Sequence, residues 1–376
     1  GFHHAFEPGS DLIASFIYAR ADYSLDFTSF MGPYHDESKW DSYLAEMQYL
    51  FKRDRFQATV GGGMTDVNAT GSYDMTIFAP PPVNVPYDFD VHNYNVYLYT
   101  NSRFPDSMIW TLGASADFYN DTTNNIDSQQ VNPKVGLTWN VLPSTTVRAA
   151  AFRTLSHTVV TSQTIEPTQV AGFNQLFNDT IGTKAWRYGA AVDQKFTKSI
   201  FGGVELSKRD LDVPFTRYTL TGFAPDYVKW HEELARVYLY WAPHPWISLS
   251  AEYQYERLKM ADDFYGPYYV TKADTNRFPL GLNFFHPSGI ILNLTGTYID
   301  QDVDYYDMAS GTIMPGKEGF WVFDASVGYR LPKRFGIIAL EVKNLTDENF
   351  RFQDTDPANP RVYPTRVFLG KLTLSF

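Results

Sequence analysis

Apolar and polar residues alternate with a period of two in segment after segment of this chain. From Met108 to Phe118 the even positions carry Met, Trp, Leu, Ala, Ala and Phe, and Thr, Gly, Ser and Asp occupy positions 111, 113, 115 and 117. The segments Ile290–Tyr298 and Trp321–Leu331 repeat the pattern. Because successive side chains of a strand point to opposite faces, each segment predicts a strand with one apolar and one polar face. The predicted fold class is all-β.

The last segment shows the same alternation and ends on an aromatic residue, Phe376. Its apolar face carries Phe368, Gly370, Leu372, Leu374 and Phe376. An amphipathic terminal strand with this ending is typical of outer-membrane barrels. We therefore predict Phe376 as an assembly signal, with the barrel-assembly machinery and the lipid bilayer as partners and the bacterial outer membrane as the location.

The composition agrees with strands that cross a membrane. No run of about 18 apolar residues is present, so no membrane-spanning helix is expected. A spanning strand needs only about 9–11 residues, of which every second one is apolar. Aromatic residues make up 17% of the chain, and many of them end the apolar faces, where the two membrane interfaces would lie. A water-soluble all-β sandwich remains the alternative at this point.

Short turn signals and long polar stretches follow each other along the chain. The short turns lie at 7–11, 52–55, 104–107, 142–145, 197–199, 243–245, 286–289 and 332–335. The long stretches lie at about 28–40, 72–87, 120–129, 157–184, 213–227, 260–273, 303–318 and 351–363. This asymmetry predicts a transmembrane antiparallel up-and-down β-barrel of about 16 strands, with short periplasmic turns and long extracellular loops.

The sixteen strands are expected at about 11–26, 40–52, 56–71, 88–102, 107–119, 130–141, 145–156, 185–196, 199–212, 228–242, 246–259, 274–285, 289–302, 319–331, 335–349 and 364–376. An even number lets the first and last strands pair antiparallel and leaves no open edge in lipid. Residues 11–376 are then a single barrel domain. Residues 1–10 are predicted to be a periplasmic tail or the end of an upstream element, and a periplasmic domain or partner before Gly1 stays open.

Charge and motifs exclude several classes of function. The net charge of −11 argues against nucleic acid as a partner, since such partners need a basic face. The chain has no Cys and shows no nucleophile elbow, Walker loop or zinc motif. We therefore predict no catalytic residues, no enzyme activity and no cofactor.

The polar face of the predicted strands supplies the candidate site residues. A polar lumen keeps charges out of lipid and sets the selectivity of a transport path. The lumen-lining candidates are Arg20, Asp22, Asp117, Arg236, Tyr238, Glu252, Gln254, Glu256, Asp324, Arg330, Glu341 and Lys343.

Aromatic residues in the long loops are candidates for ligand contact, because long loops often carry function. These are Phe173, Phe177, Tyr265, Tyr268, Tyr269, Tyr305 and Tyr306. Carboxylates at alternating positions, Asp300, Asp302 and Asp304, are a weak calcium candidate, because the segment lacks the glycine and distal glutamate of an EF-hand. No other metal site is predicted.

Two regions resemble a known family. Asn132–Leu155 resembles the mid-barrel hairpin of TonB-dependent receptors, and Leu340–Phe350 followed by Val367–Phe376 resembles their C-terminal end, where an Asn-Leu-x-Asp-x-x-aromatic motif precedes the last strand. The resemblance implies an outer-membrane barrel. The chain departs from the family in lacking a plug and a TonB-binding box, and in having about six strands fewer than the usual twenty-two.

The leading functional prediction is a porin-like outer-membrane channel that passes a hydrophilic solute or polymer through a polar lumen. The first alternative is the C-terminal barrel of a TonB-dependent uptake receptor. The second is a structural barrel whose loops bind envelope or extracellular proteins.

Overall fold

The computed structural model describes residues 1–29, 32–75, 83–122, 125–157, 160, 163–177, 179–219, 222–260, 270–307, 310–353, 362–363 and 365–374. The chain divides into two compact units. Unit 1 comprises Gly1–Thr138, Ala150–Arg187 and Leu211–Val228, and unit 2 comprises Trp139–Ala149, Tyr188–Asp210 and Lys229–Phe376.

The described residues form β-strands joined by turns. The strands are β1 (Phe2–Glu7), β2 (Ser10–Ser29), β3 (Gly32–Lys52), β4 (Phe56–Met75), β5 (Val83–Arg103), β6 (Met108–Asp121), β7 (Ile126–Leu142), β8 (Thr145–Leu155), β9 (Gln169–Val170), β10 (Phe173–Asn174), β11 (Lys184–Lys195), β12 (Ile200–Thr219), β13 (Gly222–His244), β14 (Ile247–Lys259), β15 (Val270–Phe285), β16 (Ile290–Asp307), β17 (Thr312–Arg330), β18 (Gly336–Lys343) and β19 (Val367–Leu374). A 3₁₀ turn covers Pro332–Arg334. None of the described helical residues forms a segment long and apolar enough to span a bilayer.

The strands build a 17-stranded sheet, with β9 and β10 as a separate two-stranded hairpin. Strands that follow each other in sequence pair antiparallel, as β2 does with β3 and β15 with β16. The predicted all-β, up-and-down antiparallel class is confirmed. The predicted strands correspond to β2–β8 and β11–β19, and β1 is additional.

Residues 1–10 contain this additional strand. β1 pairs antiparallel with the beginning of β2, with Phe2 opposite Ala14 and Ala5 opposite Asp11. The turn between the strands uses Gly9 at a φ of 79°, in the left-handed region where glycine carries no steric cost.

Several strands extend beyond their predicted ends on the side of the long loops. β16 and β17 stay paired as far as Asp307 opposite Thr312, although 303–318 was predicted to be a loop. The apolar alternation stops before this point, and polar pairs such as Asp302 opposite Lys317 continue the ladder. Backbone pairing therefore outlasts the apolar pattern from which the strand ends were predicted.

In unit 1 the two faces of the sheet differ in burial. One face carries exposed apolar side chains, among them Val96 at 57% exposure and Met47 at 57%. The other face holds a buried cluster around Tyr119, which contains Val67, Val91, Ile126 and Leu155 with Trp40 and Phe89 against it. We call this second, covered face the inner face of unit 1.

Unit 2 is built in the same way. Leu294 and Leu340 are about half exposed on its apolar face. On the opposite, polar face, Ile299, Phe320 and Val322 are buried with Val362 and packed against Phe350 and Phe352. The Phe320 and Phe350 rings stack with centroids 4.1 Å apart. Phe350 and the adjoining residues 351–353, which were predicted to begin a long loop, thus cover part of this face.

Candidate functional site

Residues 163–177, here called the inner segment, lie against the inner face of unit 1. The segment folds into the β9–β10 hairpin, in which Val170 pairs with Phe173. Its two-residue turn has Ala171 at a φ of 47° and Gly172 at 84°. Positive φ at both central positions is the geometry of a type I′ turn. Val170 and Phe173 are buried, at 0% and 1% exposure.

Two glutamates hold the segment in a reciprocal arrangement. Glu46 on β3 accepts hydrogen bonds from the Thr164 hydroxyl at 2.5 Å and from the Ile165 backbone N–H at 3.0 Å. Glu166 on the segment accepts from Asn95 Nδ2 at 2.9 Å and from the Tyr99 hydroxyl at 2.7 Å. Glu46 of the sheet thus binds the segment, and Glu166 of the segment binds the sheet. Both hydrogen bonds to Glu166 come from strand β5.

A buried cation lies beside this contact. Lys134 on β7 is 1% exposed, and its Nζ donates to the Arg153 carbonyl at 3.1 Å and lies 5.7 Å from the centroid of the Tyr99 ring. Lys134 interacts electrostatically with both Glu166 and Asp117. Asp117 is held by Asn132 Nδ2 at 2.5 Å and by the Ser115 hydroxyl at 3.2 Å. A buried charge of this kind persists only when it is paired.

The tip of the segment approaches β7 closely at Gly136. A Cβ added to Gly136 would lie 2.8 Å from the Ala171 Cβ and 3.0 Å from Val170 Cγ1. A side chain at this position would therefore collide with the hairpin. Two further bonds anchor the segment: Arg187 Nη1 donates to the Asn174 carbonyl at 2.9 Å, and the Ser156 hydroxyl donates to the Phe177 carbonyl at 2.8 Å.

Burial shifts the titration of two groups at this site. Desolvation raises the pKa of the Glu166 carboxyl, and Lys134 opposes this shift. Desolvation lowers the pKa of His157, whose ring lies 5.4 Å from that of Phe177, and Glu166 opposes that shift. Both groups are therefore pushed toward their neutral forms.

An aromatic row on the inner face lies toward the loop ends of β3, β4 and β5. Tyr34 stacks on Tyr73 with centroids 5.5 Å apart, and Tyr87 stacks on Phe89 at 6.5 Å. The Tyr87 hydroxyl donates to Asp36 at 2.9 Å. These rings and their hydroxyls present amphipathic surface on the same face as the inner segment.

The polar face of unit 2 carries a continuous hydrogen-bonded row, here called the polar ladder. Arg236 forms a bidentate pair with Glu252, at 2.9 and 2.8 Å. Glu252 also accepts from Tyr240 and from Gln254 Nε2. The row continues through Arg277, which donates to Gln254 Oε1 at 3.2 Å. Fork-to-carboxylate pairing fixes these side chains along the strands.

The same face of unit 2 carries two more clusters of charge. Arg148 donates to Asp193 at 2.6 Å, and Asp193 also accepts from the Tyr238 hydroxyl. On β17–β19, Lys343 lies 2.8 Å from Glu341 and 3.2 Å from Asp324, and Lys371 also pairs with Glu341. Charges of both signs therefore alternate on this face.

Most predicted lumen-lining residues lie on these polar faces. Asp117 is on the inner face of unit 1, one position before the exposed Phe118. The polar face of unit 2 carries Arg236, Tyr238, Glu252, Gln254, Glu256, Asp324, Arg330, Glu341 and Lys343.

Arg20 and Asp22 require a correction. They lie opposite Asp41 and Lys39, on the same face as the exposed Phe16, whereas the inner face of β2 carries Ser15 opposite Glu46. Each charge faces one of opposite sign on β3, since Arg20 is opposite Asp41 and Asp22 is opposite Lys39.

The predicted loop ligands are placed differently from one another. Phe173 is buried under the hairpin, which corrects its prediction as a ligand-contacting side chain. Phe177 is half-buried against His157. Tyr305 is 37% exposed and Tyr306 is half-buried near the end of β16. Tyr265, Tyr268, Tyr269 and the predicted assembly signal Phe376 lie outside the described residues.

The weak calcium candidate is occupied by a cation of the chain itself. Lys317 Nζ lies 3.6 Å from Asp300 and 3.2 Å from Asp302. Across the described residues, no three His, Cys, Asp or Glu side chains are grouped as metal ligands, and Asp304 is therefore not part of such a group.

Sequence reasoning missed the residues that hold the inner segment. Glu46, Lys134 and Tyr99 could have been found as the polar members of alternating strands. Glu166 could not, because the stretch 157–184 has no periodicity that indicates which side chain turns inward. Gly136 carries a signal only once its packing partner is known.

Comparison with known proteins gives a likeness of fold. No family model matches the chain, and no curated protein matches its sequence. Among solved structures, it is similar to the copper transporter OprC, with 15% identity and a TM-score of 0.63 over 99% of this chain and 64% of that one. It is also similar to the ferric-catecholate import receptor Fiu from K12 E. coli, with 14% identity and a TM-score of 0.64 over 100% of this chain and 63% of that one.

A third similar structure is the ferripyoverdine receptor of the outer membrane of Pseudomonas aeruginosa, with 11% identity and a TM-score of 0.67 over 99% of this chain and 54% of that one. The chain thus spans less than two thirds of the length of each of these proteins. The resemblance to the barrel of TonB-dependent receptors, inferred from two sequence motifs, is confirmed at the level of the fold: this chain folds as the strand-built part of outer-membrane import receptors does.

Proposed function

We propose that the chain is the β-barrel of an outer-membrane uptake receptor that imports a small hydrophilic solute or metal chelate. In this proposal β2 and β19 pair to close the sheet, as an even number of up-and-down strands allows. The observation that carries the proposal is the division of chemistry between the two faces. Charged, hydrogen-bonded side chains and covering segments lie on one face, and large exposed apolar side chains lie on the other.

The exposed apolar face supports a bilayer as the surroundings. Leu294 on β16, Leu340 on β18 and Leu372 on β19 are 52%, 50% and 63% exposed in unit 2. Contiguous apolar surface of this extent is rare on water-soluble monomers. In lipid it is the ordinary outer surface of a barrel, which places the lipid bilayer and, during biogenesis, the assembly machinery among the proposed partners.

The covered polar faces favour a receptor over an open pore. The inner segment occupies part of the polar face in unit 1, and residues 350–353 occupy part of it in unit 2. A general pore needs an unobstructed water-filled path. OprC is a copper transporter and Fiu imports ferric catecholate. By analogy, a metal or metal chelate is the proposed cargo here.

The test compares a deletion strain with a complemented strain that expresses the full gene product. Growth is measured under iron limitation and under copper limitation, and uptake of the corresponding radioactive metal is measured with and without a protonophore. We expect a loss of uptake in the deletion strain and a protonophore-sensitive restoration by the complementing gene. If the restored uptake were insensitive to the protonophore, transport would be passive diffusion and the proposal of energised uptake would be wrong.

The passive channel remains the second candidate, because the polar ladder has the mixed charge of a permeation path. Purified protein in planar bilayers separates the two. The receptor proposal expects no steady ohmic conductance from the full gene product, whereas a channel gives a stable conductance that scales with salt concentration.

A further inference from the structure

We propose that Asn95, Tyr99 and Lys134 on the inner face of unit 1 form a binding site for a carboxylate, which the chain's own Glu166 occupies here and which a carboxylate-bearing solute occupies in the open state. Glu166 then acts as an internal ligand. The inner segment acts as a gate, which opens when a solute carboxylate takes the place of Glu166. This inference rests on the proposed function for the route by which a solute arrives.

All three residues of the proposed carboxylate site lie on the sheet, and none of them belongs to the inner segment. Asn95 Nδ2 and the Tyr99 hydroxyl donate to different oxygens of Glu166, at 2.9 and 2.7 Å. Both donors come from β5 and are four residues apart on one strand face, so the sheet itself fixes the separation of their backbones. Lys134 adds a buried positive charge from β7. The donors and Lys134 lower the cost of ionising the occupant, although burial keeps its protonated form favoured.

The surrounding groups determine which ligand suits the site. Asp117 is already held by Asn132 and Ser115, which lie on the sheet and stay in place when the segment leaves. The Lys134 charge is therefore shared between Asp117 and the occupant. A planar carboxylate with two separate oxygens fits the donor pair, whereas a neutral amide would place an N–H group against one of the two donors.

The occupant is attached in a way that permits exchange. The β9–β10 hairpin has two residues in each strand, and its contacts to the sheet are polar clamps, the close approach at Gly136 and two buried side chains. Loss of the Glu166 contact removes one of these clamps, and those made by Glu46, Arg187 and Ser156 remain. Because Glu166 is tethered, its effective concentration is about millimolar or higher. A solute therefore has to make additional contacts, for which the aromatic row on the same face is available.

The chain lacks cysteine, so a single introduced thiol reports on the segment. Val170→Cys places the thiol on strand β9 of the hairpin, at a position of 0% exposure. Gln169→Cys places it at the exposed neighbouring position of the same strand as a control. The rate of maleimide labelling is measured on full-length protein in micelles, with folding checked by heat-modifiable gel migration. The micelle assay does not depend on transport, so failure of this inference and failure of the proposed uptake function are distinguishable.

Glu166→Ala is expected to speed labelling at Val170→Cys by about tenfold or more, because both hydrogen bonds to the buried Glu166 carboxyl are lost. Acetate is then expected to fill the vacated site and slow labelling again, whereas acetamide has no effect. Glu166→Gln, which keeps the shape of the side chain, is expected to give an intermediate rate. Labelling at Gln169→Cys is expected to stay constant throughout.

Two results would overturn the inference. If Glu166→Ala leaves the labelling rate unchanged, the carboxylate does not hold the segment. If the rate rises but acetate and acetamide act alike, the site has no preference for a carboxylate and Glu166 acts by shape alone.

Discussion

Asn344 shows how one residue of the family-like motif stabilises the end of unit 2. Its side chain is fully buried, with Nδ2 donating to the carbonyls of Glu348 at 2.9 Å and Tyr363 at 3.2 Å. Its Oδ1 accepts from the Glu348 N–H at 2.9 Å. The φ of 48° lies in the left-handed region, which Asn tolerates better than most residues. The motif therefore encodes a turn rather than a ligand site.

Asn344→Ala is expected to lower the free energy of unfolding by about 3 kcal/mol, because buried backbone groups lose their partners and alanine disfavours the left-handed conformation. Urea unfolding in lipid vesicles, followed by tryptophan fluorescence, measures the change. Asn68→Ala is the matched control, since Asn68 is exposed and bonds only to the side chain of Asp66 in the described contacts. Equal effects of the two substitutions would contradict the structural role of Asn344.

The facing of single residues could be predicted where polar and apolar positions alternate through the membrane band. Glu252 and Gln254 follow this rule and lie on the polar face. Arg20 and Asp22 do not, because they pair with opposite charges on β3 and so place polar side chains on the face that carries Phe16. Near the loops, the polar or apolar character of a residue therefore no longer predicts which face of the strand it lies on.

At the scale of elements, the strands were predictable and the covering segments were not. A strand can be recognised from a local period of two, which is visible within a short window of the sequence. The inner segment is held by contacts between residues far apart in sequence, such as Thr164 with Glu46. No local pattern encodes such a contact, so the sequence predicted a long loop with a role but not its position.

Gly136→Leu is expected to displace the β9–β10 hairpin, because its side chain would meet Ala171 and Val170 at distances shorter than van der Waals contact. Labelling of Val170→Cys should become about tenfold faster if overpacking costs at least about 1.4 kcal/mol. Gly370→Leu in β19 is the control, since no atom of the described residues lies within 4 Å of a Cβ added there. A protected thiol in the Gly136 variant would show that the segment does not depend on this close approach.

The seating of the inner segment is expected to depend on pH. Burial raises the pKa of Glu166 above its ordinary value of 4.5, so the seated state binds its proton more tightly than the released state. This contribution is complete below pH 4.5 and is lost as the pH rises through the raised pKa of Glu166. The groups that act on Glu166 are Lys134, Asp117, Tyr99 and His157.

His157 acts in the opposite direction. Its lowered pKa means that seating weakens as the pH falls below 6.5 through the pKa of the buried ring. The ratio of labelling rates at Val170→Cys and Gln169→Cys cancels the titration of the thiol itself. The ratio should rise with pH above 4.5, and Glu166→Gln should abolish that rise while leaving the acid limb due to His157. A ratio that is flat in both proteins would contradict the assignment.

At the scale of the whole molecule, the sequence predicted the chemistry of the two faces better than the use made of them. Alternation gave an apolar face and a polar face, and both are present. A period of two cannot tell whether a polar face borders open water or a covering segment. Glu166 and Phe350, which pack onto the polar faces, are the contacts that favour the proposed receptor over the predicted channel.

Two neighbouring residues of β16 face opposite sides of the sheet and report on what surrounds the apolar face. Leu294 is 52% exposed on that face, and Thr295 lies on the polar face opposite Asp324. On a protein in water, Leu294→Arg would replace an exposed apolar side chain and change stability little. In a bilayer it places a cation in lipid, at a cost of about 2–4 kcal/mol near the midplane.

We therefore expect Leu294→Arg to lower the urea midpoint in lipid vesicles by an amount that corresponds to about 2–4 kcal/mol. Thr295→Arg should change it little, because the new charge lies beside Asp324 on the polar face. The order of the two effects is informative by itself. If Thr295→Arg were the more damaging substitution, the polar face would be the buried one in a water-soluble fold, and the outer-membrane proposal would fail.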